Sequence, residues 1–202
     1  QGDPEVSEAI DFAAYYAERA EELDHIDGAV ARPVRVTLVT PPWNFPVAIP
    51  TGATIAALAA GSSVVVKPAT QARRSGSLMV ETLWAAGVPR DALHLVHVDE
   101  GDLGQRLVAH PAVDRLVLTG AFETAELFRS FRPDLPLLAE TSGKNAIIVT
   151  PSADVDAAVK DVVASAFGNA GQKCSAASLV ILVGSMAESE RFRRQLVDAV
   201  RS

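Results

Sequence analysis

RVTLVTPPWNFPVAIPTGATIAALAAGSSVVVK, residues 35–67, carries no charge between Arg35 and Lys67. An uncharged run of that length could suit a membrane-spanning helix. Its interior excludes one: Pro41, Pro42, Pro46 and Pro50 break it, Asn44 is polar, and Gly61-Ser62-Ser63 interrupts it again. It divides instead into an apolar strand (34–39), a turn rich in proline, a helix (47–60) closed by Gly61, and a second strand (63–66). Apolar strands flanking an apolar helix describe a βαβ unit covered on both faces.

The same alternation extends outward. Upstream, residues 5–24 read as an amphipathic helix with Val6, Ile10, Ala13, Ala14, Ala17 and Ala20 on its apolar face, ended by Asp27-Gly28. Downstream come a helix at 73–86 stopped by Gly87, a strand at 93–96, a short helix at 103–109, a strand at 116–118 and a helix at 121–131. Past Glu140 the pattern continues with strands at 146–149 and 179–183 and helices at 154–167 and 188–200. The reading is an α/β protein: a Rossmann-like parallel sheet with flanking helices, followed by the first part of a second α/β domain. The expected boundaries are 1–33 (helical lead-in), 34–140 (Rossmann-like domain) and 141–202 (opening of the second domain).

Composition narrows the function. A net charge of −7 with scattered Lys and Arg carries no nucleic-acid footprint. The acidic N-terminus is no signal peptide, and one cysteine in 202 residues fits a reducing compartment, so a cytoplasmic location is expected. His94 and His97 fall on opposite strand faces, and no ligand-spaced cluster predicts a metal.

Ligands of parallel sheets sit at the carboxyl ends of the strands. That rule points to Thr40, Pro41, Pro42, Trp43 and Asn44; to Lys67 and Thr70; to residues 97–104, including Gly104; and to Thr119, Gly120 and Ala121. Thr119-Gly120 reads as a βα turn whose following helix could receive a phosphate, although no G-x-G-x-x-G stretch is present. The Asn44 amide could donate to an oxyanion. Glu140, ending the run Leu137-Leu138-Ala139, is expected to be half-buried, which would suit a general base. Cys174, in Gly171-Gln172-Lys173-Cys174-Ser175, has the setting of a reactive thiol.

Taken in order, Pro-Trp-Asn-Phe-Pro (42–46), Lys67-Pro68 after a valine strand, Thr119-Gly120, Glu140 before Ser142-Gly143-Lys144, and Gly171-Gln172-Lys173-Cys174 resemble the aldehyde dehydrogenase superfamily, over residues 34–183. Gly-Gln-Lys-Cys-Ser-Ala, Glu-Thr-Ser-Gly-Lys-Asn and Ala-Phe-Glu-Thr-Ala look most like the glutamate γ-semialdehyde (pyrroline-5-carboxylate) dehydrogenases, above all those fused to proline dehydrogenase. The resemblance implies a cysteine nucleophile at Cys174, an oxyanion donor at Asn44 and a water-activating base at Glu140. It implies NAD, with NADP not excluded, bound by Thr40, Pro41, Pro42, Trp43, Lys67, Thr70, Gly104, Thr119, Gly120, Ala121 and Thr141. Phe45 and Ser175 would meet an aldehyde substrate. Thr70 departs from the glutamate common in NAD-preferring members, and Ala121 from a frequent serine. Full-length members are more than twice this long and homo-oligomeric. The chain is therefore expected to be a piece of a larger protein, with unpartnered apolar faces and little or no turnover on its own. The alternatives are a coenzyme A-acylating aldehyde dehydrogenase, a non-catalytic nucleotide-binding or assembly module with an inert Cys174, and a cysteine hydrolase, for which no histidine partner stands out.

Overall fold

Five parallel strands in the order β3-β2-β1-β4-β5 form the main sheet of the structure, a computed structural model that describes residues 2–99 and 101–201. They are β1 (Val36–Thr40), β2 (Ser63–Val66), β3 (Leu93–Leu95), β4 (Arg115–Gly120) and β5 (Leu137–Thr141). The chain lays down β1, β2 and β3 toward one edge, then crosses back so that β4 and β5 extend the other. The order thus reverses between β1 and β4, the position at which such sheets open a crevice above their carboxyl ends.

The helices of this unit are α1 (Gly2–Glu21), α2 (Ala48–Ala59), α3 (Arg73–Ala85), α4 (Asp102–Val108) and α5 (Phe122–Phe131). Two clusters fill the space between helices and sheet. One gathers Leu38, Val108, Val113, Leu116, Leu118, Ala125 and Leu135; the other gathers Val39, Val64, Val66, Met79, Val80 and Leu93. Alternate residues of β1, β2 and β4 enter both, as a sheet covered on two faces requires. Gly61 and Gly87 close α2 and α3 with φ of +83° and +103°. In each case the glycine N–H and the next N–H reach back to the last turn: Gly61 to Leu58 O and Ser62 to Ala57 O, Gly87 to Trp84 O and Val88 to Leu83 O. These are the two bonds of a Schellman motif, and they tie the helix end to the following strand.

The packing of α1 corrects one expectation. Val6, Ile10, Ala14 and Ala17 are exposed, whereas Glu5, Ala9, Phe12, Ala13, Tyr16 and Ala20 form the covered face. The rotation has a polar cause. Val47, the N-cap of α2, brings no side-chain cap, and the buried Glu5 carboxylate accepts from Val47 N (2.8 Å) and Ala48 N (3.3 Å) instead. A negative charge at a helix N-terminus satisfies orphan N–H groups and complements the dipole. Close approach of the two helices needs Gly52, where a Cβ would lie 2.9 Å from the Phe12 ring.

A second compact unit spans Ser142–Ser202, after the first, Gln1–Thr141. It holds a two-stranded parallel sheet, β6 (Asn145–Val149) and β7 (Ala177–Leu182), with α6 (Val155–Phe167) and α7 (Glu190–Arg201). Asp154 caps α6 by accepting from Ala157 N at 2.8 Å. Val149, Val159, Val162, Met186 and Phe192 make its core. Asp156 joins the helices, accepting from Arg191 (2.9 and 3.0 Å) and Gln195 (2.7 Å). The opposite sheet face is open: Ile148, Leu179, Ile181 and Val183 are 63%, 48%, 42% and 42% exposed. Unpartnered apolar surface of this kind is what the sequence led us to expect. No helix among the described residues is long and apolar enough to cross a membrane.

Candidate functional site

The carboxyl edge of the main sheet collects most of the residues singled out from the sequence. Thr40 ends β1, and its hydroxyl donates to Val117 O of β4 at 3.2 Å. Pro41, Pro42, Trp43, Asn44 and Phe45 follow as an irregular turn leading into α2, with Trp43 half-exposed and Asn44 and Phe45 partly covered. Since Glu5 holds Val47 N, the turn is fastened at both ends, by β1 and by α1.

Lys67 leaves β2 with its N–H bonded to Val39 O at 2.9 Å. Pro68 then meets Gly76 of α3 so closely that a Cβ at Gly76 would lie 2.4 Å from Pro68 Cγ. Thr70 opens the 3-10 turn Thr70–Ala72 and is exposed. The first turns of α3 carry no acid. Its Arg73 pairs with Asp99, and Ser77 Oγ lies 3.0 Å from His97 Nε2. Lys67, Thr70 and Arg73 thus follow the end of β2 within seven residues of chain, and Asp99 and His97, beyond β3, meet the start of α3. Gly104 lies inside α4, where a Cβ would reach Asp99 O at 3.4 Å.

Thr119 and Gly120 are strand, not turn. β4 runs through both, because β5 continues alongside it with Thr119 opposite Glu140 and Gly120 opposite Thr141. The turn is Ala121 alone, in extended backbone at the N-cap of α5 without a side-chain cap. An alanine there supplies no capping oxygen of its own, where Ser or Asp would. Glu140 also departs from expectation: it is exposed rather than half-buried. β5 is the last strand of its sheet, and three consecutive residues, Leu138, Ala139 and Glu140, are open to solvent.

In the second unit Cys174 and Ser175 are exposed on a tight turn before β7. Asn169 and Ala170 (φ 56° and 55°) and Gly171 (φ 72°) turn the chain left-handed just ahead of it. Two successive non-glycine residues in that region are uncommon and cost stability. The Asn169 amide donates to Gln172 O at 3.1 Å, and the Asn145 amide to Cys174 O at 2.5 Å and Ala176 O at 3.2 Å. Sequence reasoning passed over Asn145, since nothing in its neighbourhood signals a partner 29 residues away.

Thr40, Lys67, Gly120, Glu140 and Thr141 thus stand at the ends of four adjacent parallel strands, and Cys174 on an exposed turn of the second unit. The donor set of the first unit (an ammonium, hydroxyls and a helix N-terminus whose N-cap residue is alanine) fits a phosphorylated nucleotide.

The bifunctional protein PutA of Salmonella typhimurium is 41% identical over 193 residues, covering 91% of this chain and 14% of that protein. The solved structure of proline utilization A from Corynebacterium freiburgense is 56% identical with a TM-score of 0.93, over 98% of this chain and 20% of that one. The 1-pyrroline-5-carboxylate dehydrogenase from Thermus with bound NAD is 34% identical with a TM-score of 0.89, over 98% of this chain and 42% of that one. This chain therefore spans less than half of each of these relatives. A family model, that of the aldehyde dehydrogenase family, matches residues 1–202. On sequence, sheet topology and structural likeness together, the chain belongs to the aldehyde dehydrogenase family.

Proposed function

We propose that this chain carries the nucleotide-binding sheet and the nucleophile of a cytoplasmic NAD(P)-dependent L-glutamate γ-semialdehyde dehydrogenase of proline catabolism. The observation that carries the reading is the alignment of Thr40, Lys67, Gly120 and Thr141 along one carboxyl edge, in a chain whose one cysteine lies exposed on a tight turn. The Thermus relative with bound NAD supports the cofactor class.

In this reading Lys67 and Thr70 hold the adenosine ribose, and Gly104 lies on the adenine side. Thr119, Gly120 and Ala121 meet the pyrophosphate, and Thr40, Pro41, Pro42, Trp43 and Thr141 complete the cofactor contacts. The Cys174 thiolate adds to the aldehyde carbonyl carbon, with Phe45 and Ser175 against the substrate. The Asn44 amide and the Cys174 N–H donate to the oxyanion that forms. The nicotinamide, when bound, supplies the acceptor for the hydride that leaves this carbon. Glu140 then takes a proton from water, the water oxygen attacks the thioester carbon, and breaking the C–S bond returns the thiolate. A proline dehydrogenase domain in the same polypeptide and homo-oligomerisation belong to the same proposal, the former supported by the likeness to PutA.

The test uses the full reading frame that contains this chain, assayed for NADH production from glutamate semialdehyde without coenzyme A. Cys174→Ser is expected to abolish turnover, and Asn44→Ala to lower kcat about 100-fold or more. Glu140→Gln is expected to leave one burst of NADH per site followed by a stall. Unchanged turnover in Cys174→Ser overturns the proposal, and a strict requirement for coenzyme A replaces it with the acylating reaction. The 202-residue chain alone is expected to show no robust steady-state NADH production.

A further inference from the structure

The Cys174 turn is pinned at several points by neighbours in its own unit. Ser165 Oγ accepts from Ala177 N at 3.2 Å, Ala176 N donates to Lys173 O at 3.1 Å, and the Asn169 amide donates to Gln172 O at 3.1 Å. These bonds fix the ends of the turn. The bond to the nucleophile's own carbonyl comes from Asn145, whose Nδ2 donates to Cys174 O (2.5 Å) and Ala176 O (3.2 Å) together.

A bulge makes this double donation available. Asn145 pairs with Ala177, but the next pair is Ala146 with Leu179, so Ser178 is skipped. A bulge re-aims the side chains beside it. Here the Asn145 backbone stays in the sheet while its amide spans the carbonyls on either side of Ser175. Both hydrogens of the NH2 group are used, and a primary amide is the neutral side-chain group that offers two donors from one nitrogen.

The Asn145 amide holds the peptide plane that follows Cys174, and Ala176 N–H, donating to Lys173 O at 3.1 Å, holds the plane that precedes it, so the ψ angle of Cys174 is set between the two. The negative end of the Cys174 carbonyl dipole is thereby kept on the Asn145 side. Released, that carbonyl can rotate toward its own sulfur, where its partial negative charge would oppose a thiolate and, after addition to an aldehyde, the oxyanion. We infer that Asn145 is the positioning residue of the nucleophile: it orients the Cys174 backbone so that thiolate and oxyanion face away from the carbonyl. This rests on the proposal that Cys174 is the nucleophile. Asn145 touches neither substrate nor cofactor in it and acts through the Cys174 peptide.

The experiment measures alkylation of Cys174 by iodoacetamide across pH on the 202-residue chain, which has no other thiol, alongside thermal unfolding. In Asn145→Ala the rate near neutral pH is expected to fall about threefold and the pH midpoint to rise by about half a unit. In the isosteric Asn145→Asp, whose carboxylate repels both carbonyls and the thiolate, the midpoint is expected to rise by about a unit. Asn145→Ser keeps one donor and is expected to fall between wild type and Asn145→Ala. Lys144 and Lys173, the charged neighbours in sequence, are unchanged in every variant and contribute alike to each midpoint. A residue that merely braced the turn would give the opposite pattern, a looser thiol alkylated faster at an unchanged midpoint. That result, or rates and midpoints equal to wild type, overturns the inference. If Asn145→Ala does not fold, Asn145→Asp and Asn145→Ser are read alone against the same criteria. A wild-type Cys174 no faster than glutathione would instead count against the nucleophile reading itself, and is separable because the Asn145 comparison is a ratio of variant to wild type.

Discussion

Removing the Glu5 carboxylate is expected to destabilise the first unit and loosen a turn 40 residues away. Glu5 accepts two backbone hydrogen bonds at the start of α2, 2.8 Å from Val47 N and 3.3 Å from Ala48 N, and is 9% exposed. A hydrogen bond to a charged group contributes about 1.5–3 kcal/mol, and a charge at a helix N-terminus about 0.3–1 kcal/mol. The second bond is long and counts toward the low end. Glu5→Ala should therefore cost about 3 kcal/mol. Glu5→Gln, which keeps a neutral oxygen in place, should cost about 1 kcal/mol. For a unit of this size a kcal/mol corresponds to about 3–4 °C in Tm, so the alanine variant should melt roughly 10 °C lower. Thermal unfolding followed by circular dichroism gives the comparison, with the exposed Glu8→Ala as reference. In a Trp84→Phe background, the emission of half-exposed Trp43 reports the turn directly and should move to longer wavelength in Glu5→Ala. Equal Tm values for Glu5→Ala and Glu8→Ala, with unshifted Trp43 emission, would refute the capping argument.

Three further outcomes are expected. Gly76→Ala gains about 1 kcal/mol of helix propensity but forces a methyl to 2.4 Å from the Pro68 ring; overpacking of about 2–3 kcal/mol should win, so urea denaturation should find it less stable and nucleotide titration weaker in binding. Thr70→Glu puts a carboxylate beside Lys67 in the proposed ribose site, and binding assays should show NADP affinity falling further than NAD affinity. Asp156 and Asp114 are held below the usual carboxylate range, Asp156 by the Gln195 amide and then Arg191, Asp114 by the Arg35 guanidinium and then the Val36 N–H. A lowered folded-state pKa contributes stability that is present above the unfolded value, about 4, and is lost as pH falls through the folded one. Acid titration of stability should therefore show a loss below about pH 4 that is shallower in Asp156→Asn, and an unchanged acid limb in that variant would refute the assignment.

Local signals in the sequence accounted for the alternating elements, for the glycine stops at 61 and 87, and for the crowding of candidate residues at one sheet edge. What escaped it depended on partners distant in sequence. Val6 and Ile10 looked like the core face of α1, but a carboxylate one residue earlier had a helix 42 residues away to cap, and the helix turned accordingly. Gly120 looked like a turn because its strand character comes from pairing with Thr141. Glu140 looked half-buried because an apolar run precedes it, yet β5 is the last strand of its sheet and Leu138 and Ala139 are open as well. Asn145 gave no signal, because the carbonyls it serves come within its reach only once the bulge and the left-handed turn have formed.

The Pro68–Gly76 contact also bears on how this fold could be re-engineered. Proline holds the chain direction as it leaves β2, and the missing Cβ lets α3 settle against that ring. Each residue is thus the mould for the other. A library that varies one while the other stays should yield mostly displaced helices, whereas joint changes, a smaller residue at 68 with alanine at 76, open alternatives that single substitutions cannot reach. Anyone transplanting the β2–α3 crossover to alter nucleotide preference would have to move the two as one unit of inheritance.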